Sequence, residues 1–482
     1  MRQLADNARE TWLASAAWHA GPWVLAVLFW ATGDAAAHAA VSAAPVPAGE
    51  ELSRDYTVAV EGQPVPVYAV KVAPADPARR WKAMDDKAHS ADFFDTAAFA
   101  SFDMDGPVKV TVTCTEPITA AKILPTSFGI VPAIHGKSLT LKLDKPRLLT
   151  IEVNGNWVHA LHLFANPPEV AVPRPDDPNV IYFGPGVHRI KNLTVGNNKT
   201  VYLAPGAVVK GTKEGPGTVF WLEGKNIVLR GRGILDGGLC PTLSRHLLLV
   251  RGQDITVEGI ILRDSSVWTI PIRQSDRVTV RNVKLLGYRA NSDGIDICNS
   301  RDVHIEGCFI RTLDDLIVVK SDQGQGEVRR IVAKDCVLWN EVAHALSVGA
   351  ELRENVDDVL FTKCDVIHDK GREWTLRVFH CDSARVSNIR FENLRIEESP
   401  RLISVWIGKY VWTRDTQRGQ IQDVTFKNIH ATADHLQVEL TGFDEAHRVQ
   451  DVLFQDVVVN GKPLVESDVK QNAFVRNIRV RP

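Results

Sequence analysis

No two of the seven cysteines stand at C-x-x-C spacing, which excludes a zinc ribbon and a dithiol redox motif. The count is odd, so an oxidising compartment would leave at least one thiol unpaired. An excess of either charge is missing as well. The formal net charge is −2 over 482 residues, and nothing in that balance recruits nucleic acid or an anionic membrane. The apolar run Gly21–Trp30 follows Arg2 and Arg9 and precedes Ala37-His38-Ala39. That order of basic, apolar and small residues predicts a secretory signal over residues 1–39. The alternative is an uncleaved anchor. With the signal removed, the chain is expected in the periplasm or outside the cell, with no membrane partner.

What is present is ordinary in amount and unusual in arrangement. The chain is 45% hydrophobic and 24% charged, as soluble globular proteins are. Twelve tryptophans serve either core packing or sugar stacking. The C-terminal part repeats one pattern: a polar residue, an aliphatic, any residue, an aliphatic, two polar or Gly residues, and another aliphatic. Asp254-Ile-Thr-Val-Glu-Gly-Ile260, Asp302-Val-His-Ile-Glu-Gly-Cys308 and Asp451-Val-Leu-Phe-Gln-Asp-Val457 are three copies. The first aliphatic falls at 227, 255, 278, 303, 331, 359, 389, 424, 452 and 478, at spacings of 23 to 35 residues.

Short alternating strands at such a period predict a solenoid, since one copy alone cannot bury its apolar face. No amphipathic helix lies between copies, which excludes a βαβ sheet. The expected class is all-β: a right-handed parallel β-helix over 178–482, preceded by an N-terminal β-sandwich over 50–168. The sandwich reading rests on Tyr56-Thr-Val-Ala-Val60, Val108–Thr113 and Leu149–Val153, which alternate without the coil period and are expected to pair antiparallel. Arg79, Arg80 and Lys82 read as a solvated turn. Cys308, Cys336 and Cys364 lie five residues after their anchors, where other copies carry Ile260, Val283 and Leu394. They are expected to pack inward as small hydrophobes, not to bind metal.

The chemistry gathers in Asn291–Ser321, where six acidic residues interrupt short apolar strands. Asp314 and Asp315 are adjacent, and a strand alternates its faces, so both reach one cleft only from the strand's edge. Coils stack at about 4.8 Å. Asp293, in the preceding copy, is expected to emerge after the same strand, which brings the three carboxylates within roughly 5–10 Å of one another. Crowded like charges raise the pKa of at least one carboxyl. A protonated acid beside an ionised neighbour is the pairing that glycosidic bond hydrolysis requires. Asp296 shares that face as a hydrogen-bonding candidate.

Asn291-Ser-Asp-Gly294, the Asp314-Asp315 pair, Gly231-Arg-Gly-Ile-Leu-Asp-Gly237 and Ser266-Val-Trp-Thr-Ile270 resemble motifs of glycoside hydrolase family 28, the polygalacturonase-like enzymes. The resemblance implies inversion, with Asp314 as general acid and Asp293 and Asp315 orienting water. It implies no metal and no organic cofactor, and a polysaccharide or oligosaccharide as partner. The family's Gly-His-Gly is matched by Ala343-His344-Ala345, and its Arg-Ile-Lys by Arg377-Val378-Phe379. His344 and Arg377 are therefore substrate-binding candidates. In polygalacturonases that Lys helps hold the substrate carboxylate, so its replacement by Phe speaks against plain polygalacturonate. The two-domain plan also resembles the dextranases and isopullulanases of family 49.

Trp406, Tyr410 and Trp412 fall in the 35-residue spacing, the longest of the series, and are candidates for sugar stacking. Trp268 and Trp374 read equally well as packing. Two rival readings stand beside the hydrolase. One is a polysaccharide lyase with Ca²⁺ on the Asp trio and Arg377 as base. The other is a carbohydrate-binding β-helix without catalysis.

Overall fold

The computed structural model describes residues 40–482. The expected signal over 1–39 lies outside the described residues. Among the described residues, no helix is long and apolar enough to cross a membrane.

From Val180 onward the chain winds into one 30-stranded sheet, almost wholly parallel. It is a right-handed parallel β-helix. The repeat anchors stack on one another in register: Ile227 on Ile255, Val278, Val303, Ile331, Val359, Ile389, Val424, Val452 and Ile478. All but Ile478 are buried. The aromatic residue two places on forms its own column. Phe361, Phe391, Phe426 and Phe454 follow at centroid spacings of 5.1, 5.0 and 5.1 Å. Cys308, Cys336 and Cys364 are buried and free, in the column with Ile260, Val283 and Leu394. All seven cysteines are free thiols.

The polar residue that opens each copy has a backbone reason. Asn226, Asp254, Asp302, Asp358, Asn388, Asp423, Asp451 and Asn477 all turn the corner at φ between 54° and 58°. Asn and Asp tolerate that left-handed conformation better than other side chains with a Cβ. Arg277 and Arg330 take the same conformation. Each reaches back to the Asp one coil below, Asp254 and Asp302 respectively.

The N-terminal segment is a two-sheet sandwich. One sheet has six strands, from Ala40–Ser42 through Asp95–Asp105 to Asn156–Asn166 and beyond; the other has five. The expected antiparallel pairing holds with one exception: Asn156–Asn166 runs parallel to Asp95–Asp105. The intervening chain crosses to the other sheet and back, so it returns in the original direction. The expected turn at Arg79–Lys82 is instead the α-helix Pro77–Asp85, with Pro77 in the first turn and Asp76 capping the N–H of Arg79. Arg80 is buried there and donates to the carbonyls of Pro74 and Lys370. Periodicity did not show this helix because it is short and buries only Arg80 and Ala83.

Sandwich and coils share a core. Phe99, Phe164 and Leu148 pack against Ile261, Leu286, Phe309 and Trp339. The buried pair Arg311–Glu341, 2.9 Å apart, is joined by His162 of the sandwich. Asp85 makes a two-point ion pair with Arg372. Ala73 and Ala83 pack on Leu313 and Val342, next to the turns that carry Asp314 and His344.

Candidate active site

Five consecutive coils present one strand each to the same face. In register these are Ile270, Ile295, Ile317, Leu346 and Leu376, all pointing inward. Two residues before each anchor stand Trp268, Asp293, Asp315, His344 and Trp374. They form a row along the solenoid because each stands in the turn two places ahead of a strand start, and the strand starts are stacked in register. Asp293 and Asp315 thus hold equivalent places, each two residues ahead of the paired Ile295 and Ile317. The additional residues of its coil lie in the loop ahead of Asn291. Asp314, one place earlier, comes off the strand's edge and is the half-buried member, while Asp293 and Asp315 are buried.

An oxygen from each of Asp293, Asp314 and Asp315 lies within 4.8 Å of the others, closer than the expected separation. His344 holds one end of the cluster. Its Nδ1 is 2.6 Å and its backbone N–H 3.2 Å from Asp315 Oδ1. Arg377 Nη1 lies 3.1 Å from His344 Nε2. The guanidinium only donates, so Nε2 accepts and the ring proton sits on Nδ1, facing Asp315. Arg377 is also paired with Glu373 at 3.2 Å. Asp296 is buried one residue past its anchor and meets Lys320 Nζ at 3.0 Å; Asp293 meets the same ammonium at 3.1 Å.

These surroundings pull the carboxyls apart. Burial, then the adjacent Asp315, pushes the Asp314 pKa up to about 6. Burial also opposes ionisation of Asp315, but His344, through its ring and its backbone N–H, outweighs this and holds Asp315 below the usual range. Burial, Asp314 and Asp296 push Asp293 up against the pull of Lys320. One ammonium between two carboxylates cannot neutralise both, so Asp293, Asp296 and Asp314 titrate as a group.

Trp406 pairs in register with Phe379 and packs on it with Ala350 and Cys381. Phe379 in turn lies 5.1 Å from the His344 ring. Tyr410 and Trp412 stand half-exposed on the following turn, ring centroids 4.7 Å apart. Lys320 escaped the sequence reading. Trp268, read there as packing, has its ring 4.0 Å under the Lys320 ammonium. Both carried a signal. Trp268 precedes Ile270 by the same two places as Asp293 precedes Ile295, and Lys320 alternates with the inward Ile317 and Val319.

A family model described as Glycosyl hydrolases family 28 matches residues 190–478, and the chain belongs to that family. The polygalacturonase of Chamaecyparis obtusa is 29% identical over 233 residues, 46% of this chain and 43% of its own length. That of Juniperus ashei is 29% identical over 232 residues, 46% of this chain and 44% of its own. The matches thus span less than half the length of these relatives. Among solved structures, Dex49A from Penicillium minioluteum superposes with a TM-score of 0.60 at 14% identity, covering 91% of this chain and 96% of that one. A hyperthermoactive exopolygalacturonase from Thermotoga maritima gives 0.51 at 18% identity, over 62% of this chain and 84% of that one. At such identities the likeness is one of fold. With Dex49A it extends over the sandwich as well as the coils.

Proposed function

We propose that the chain is a polygalacturonase-like glycoside hydrolase acting on a polysaccharide or oligosaccharide, with inversion at the anomeric carbon. The observation that carries this reading is the convergence of Asp293, Asp314 and Asp315 within 4.8 Å, with only Asp314 half-exposed. Asp314, its pKa raised to about 6, protonates the leaving oxygen as the glycosidic bond breaks. Asp315, kept ionised by His344, accepts a proton from the attacking water, which Asp293 helps to orient. Proton affinities set apart by environment are what assign acid and base roles to like residues.

The substrate at this site is not plain polygalacturonate. Phe379 supplies no charge, and Arg377 already pairs with Glu373, so the cleft has little free cation to offer a carboxylate. Trp406, Tyr410 and Trp412 provide apolar faces for a sugar ring. The lyase reading requires Arg377 as a base, whereas the guanidinium here donates to His344 and Glu373.

Purified protein is assayed on a panel of neutral and uronate glycans, with Asp314→Asn as control and NMR of the first-formed anomer. Inverted product from the wild type and none from the variant is expected. An unsaturated, chelator-sensitive product would establish the lyase instead. Undiminished turnover by Asp314→Asn would end the assignment.

A further inference from the structure

Lys320 is a buried cation beside the acid cluster, and neither the sequence motifs nor the roles above use it. Its side chain is 10% exposed. It leaves the strand Ile317–Ser321 beside Cys298 of the coil below. Its Nζ lies 3.1 Å from Asp293 Oδ2 and 3.0 Å from Asp296 Oδ1. The Trp268 ring closes the third side at 4.0 Å, a cation–π contact that gains strength where water is excluded. The second oxygens, Asp293 Oδ1 and Asp296 Oδ2, are buried and carry no hydrogen bond. Lys320 is thus the hydrogen-bond donor that orients both carboxylates. Asp314, Asp315, Glu351 and Cys298 also face it, while Arg273 stacks on the same Trp268 ring at 5.0 Å.

Phe379 shares its row. Each follows an inward valine, Val319 and Val378, and these stack through Val348. The cationic side chain of this row over the acid cluster therefore stands at 320, and position 379 is apolar.

We propose that Lys320 is a positioning residue that fixes the Asp293 carboxylate toward the attacking water and holds a negative charge in place beside Asp314. The proposal rests on the hydrolase reading. A carboxylate released from this clamp rotates, and a misplacement of about 1 Å in a reacting group costs about a hundredfold in rate. Loss of the ammonium also removes a cation that favours ionisation of Asp293 and Asp296. Both then take up protons at higher pH, and so does Asp314.

Three variants test this: Lys320→Met, Lys320→Arg, and Lys320→Met combined with Asp296→Asn. The last removes a buried charge together with its partner and keeps the fold accessible if the single change unfolds it. Lys320→Met, or the double variant in its place, is expected to lower kcat about a hundredfold with KM within about threefold, and to move the kcat–pH profile upward. Lys320→Arg restores the position of the profile. Independently of any substrate, ¹³Cγ NMR of the aspartates is expected to show a cluster titration displaced upward by about one unit in Lys320→Met and returned in Lys320→Arg. An unmoved profile and unmoved aspartate titrations overturn the proposal, as does a fall in kcat that Lys320→Arg fails to reverse. Asp314→Asn separates the two levels. If it is inactive while Lys320→Met behaves as wild type, only the role of Lys320 is lost; if it is active, the hydrolase reading itself fails.

Discussion

The strands and the turns that lead into them follow opposite rules. Pointing inward, Ile270, Ile295, Ile317, Leu346 and Leu376 are interchangeable aliphatics stacked in register. Two residues earlier, in the turns before the strands begin, Trp268, Asp293, Asp315, His344 and Trp374 share no chemistry. The interior needs only volume and apolarity, which any aliphatic supplies, so repetition suffices. The cleft needs groups of different proton affinity at one place, which a repeat cannot supply. Chemistry therefore sits where the repeat is broken.

Breaking each in turn separates activity from stability. Asp314→Asn is expected to cost at least about a thousandfold in kcat, since general acid catalysis alone contributes up to about 10⁴, while the unfolding midpoint barely changes. Steady-state kinetics with thermal unfolding on one preparation checks both halves. Phe391→Ala acts in reverse. It removes the ring between Phe361 and Phe426 and is expected to destabilise by about 3–5 kcal/mol, measured by denaturant unfolding, with turnover per folded molecule retained.

The pH profile sharpens the contrast from the cleft side. Asp314 must be protonated to act and titrates near 6, so kcat is expected to fall as pH rises through that value. Asp315 must be ionised and is held below the ordinary 3.8, so the acid limb lies under pH 4. A rate that keeps rising through pH 7 would contradict both roles. The smallest effect belongs to the interior. Cys336→Val places in the thiol column a residue that Val283 and Val457 already show it accepts, and less than about 1.5 kcal/mol is expected by the same denaturant titration.

Much of the architecture was legible because it is local. The ten anchors, their alternation and the polar residue before each are written in single copies, and stacking follows from the need to bury one face. The Asp trio was legible for the same reason, since three acids lie near successive anchors. Their pairing was not. Asp293 follows Val278 by 15 residues and Asp314 follows Val303 by 11, and only the strand register, Ile295 on Ile317, sets how the two turns align. The helix Pro77–Asp85 was missed because its stability comes from a partner: Ala83 packs on Leu313 and Val342, and Arg80 reaches Lys370.

The sequence by itself determined that the chain coils, which side chains enter the coil, and that acids gather on one outer face, because each follows from periodicity and polarity within about thirty residues. The tertiary structure alone decided which acid faces which, that Lys320 lies between Asp293 and Asp296 over Trp268, and that the sandwich braces the turns beside Asp314 and His344. Those contacts join residues whose separation in the chain carries no record of their distance in space. They exist only once hydrogen-bonded strands have set the register and burial has removed the water that would otherwise solvate each charge alone.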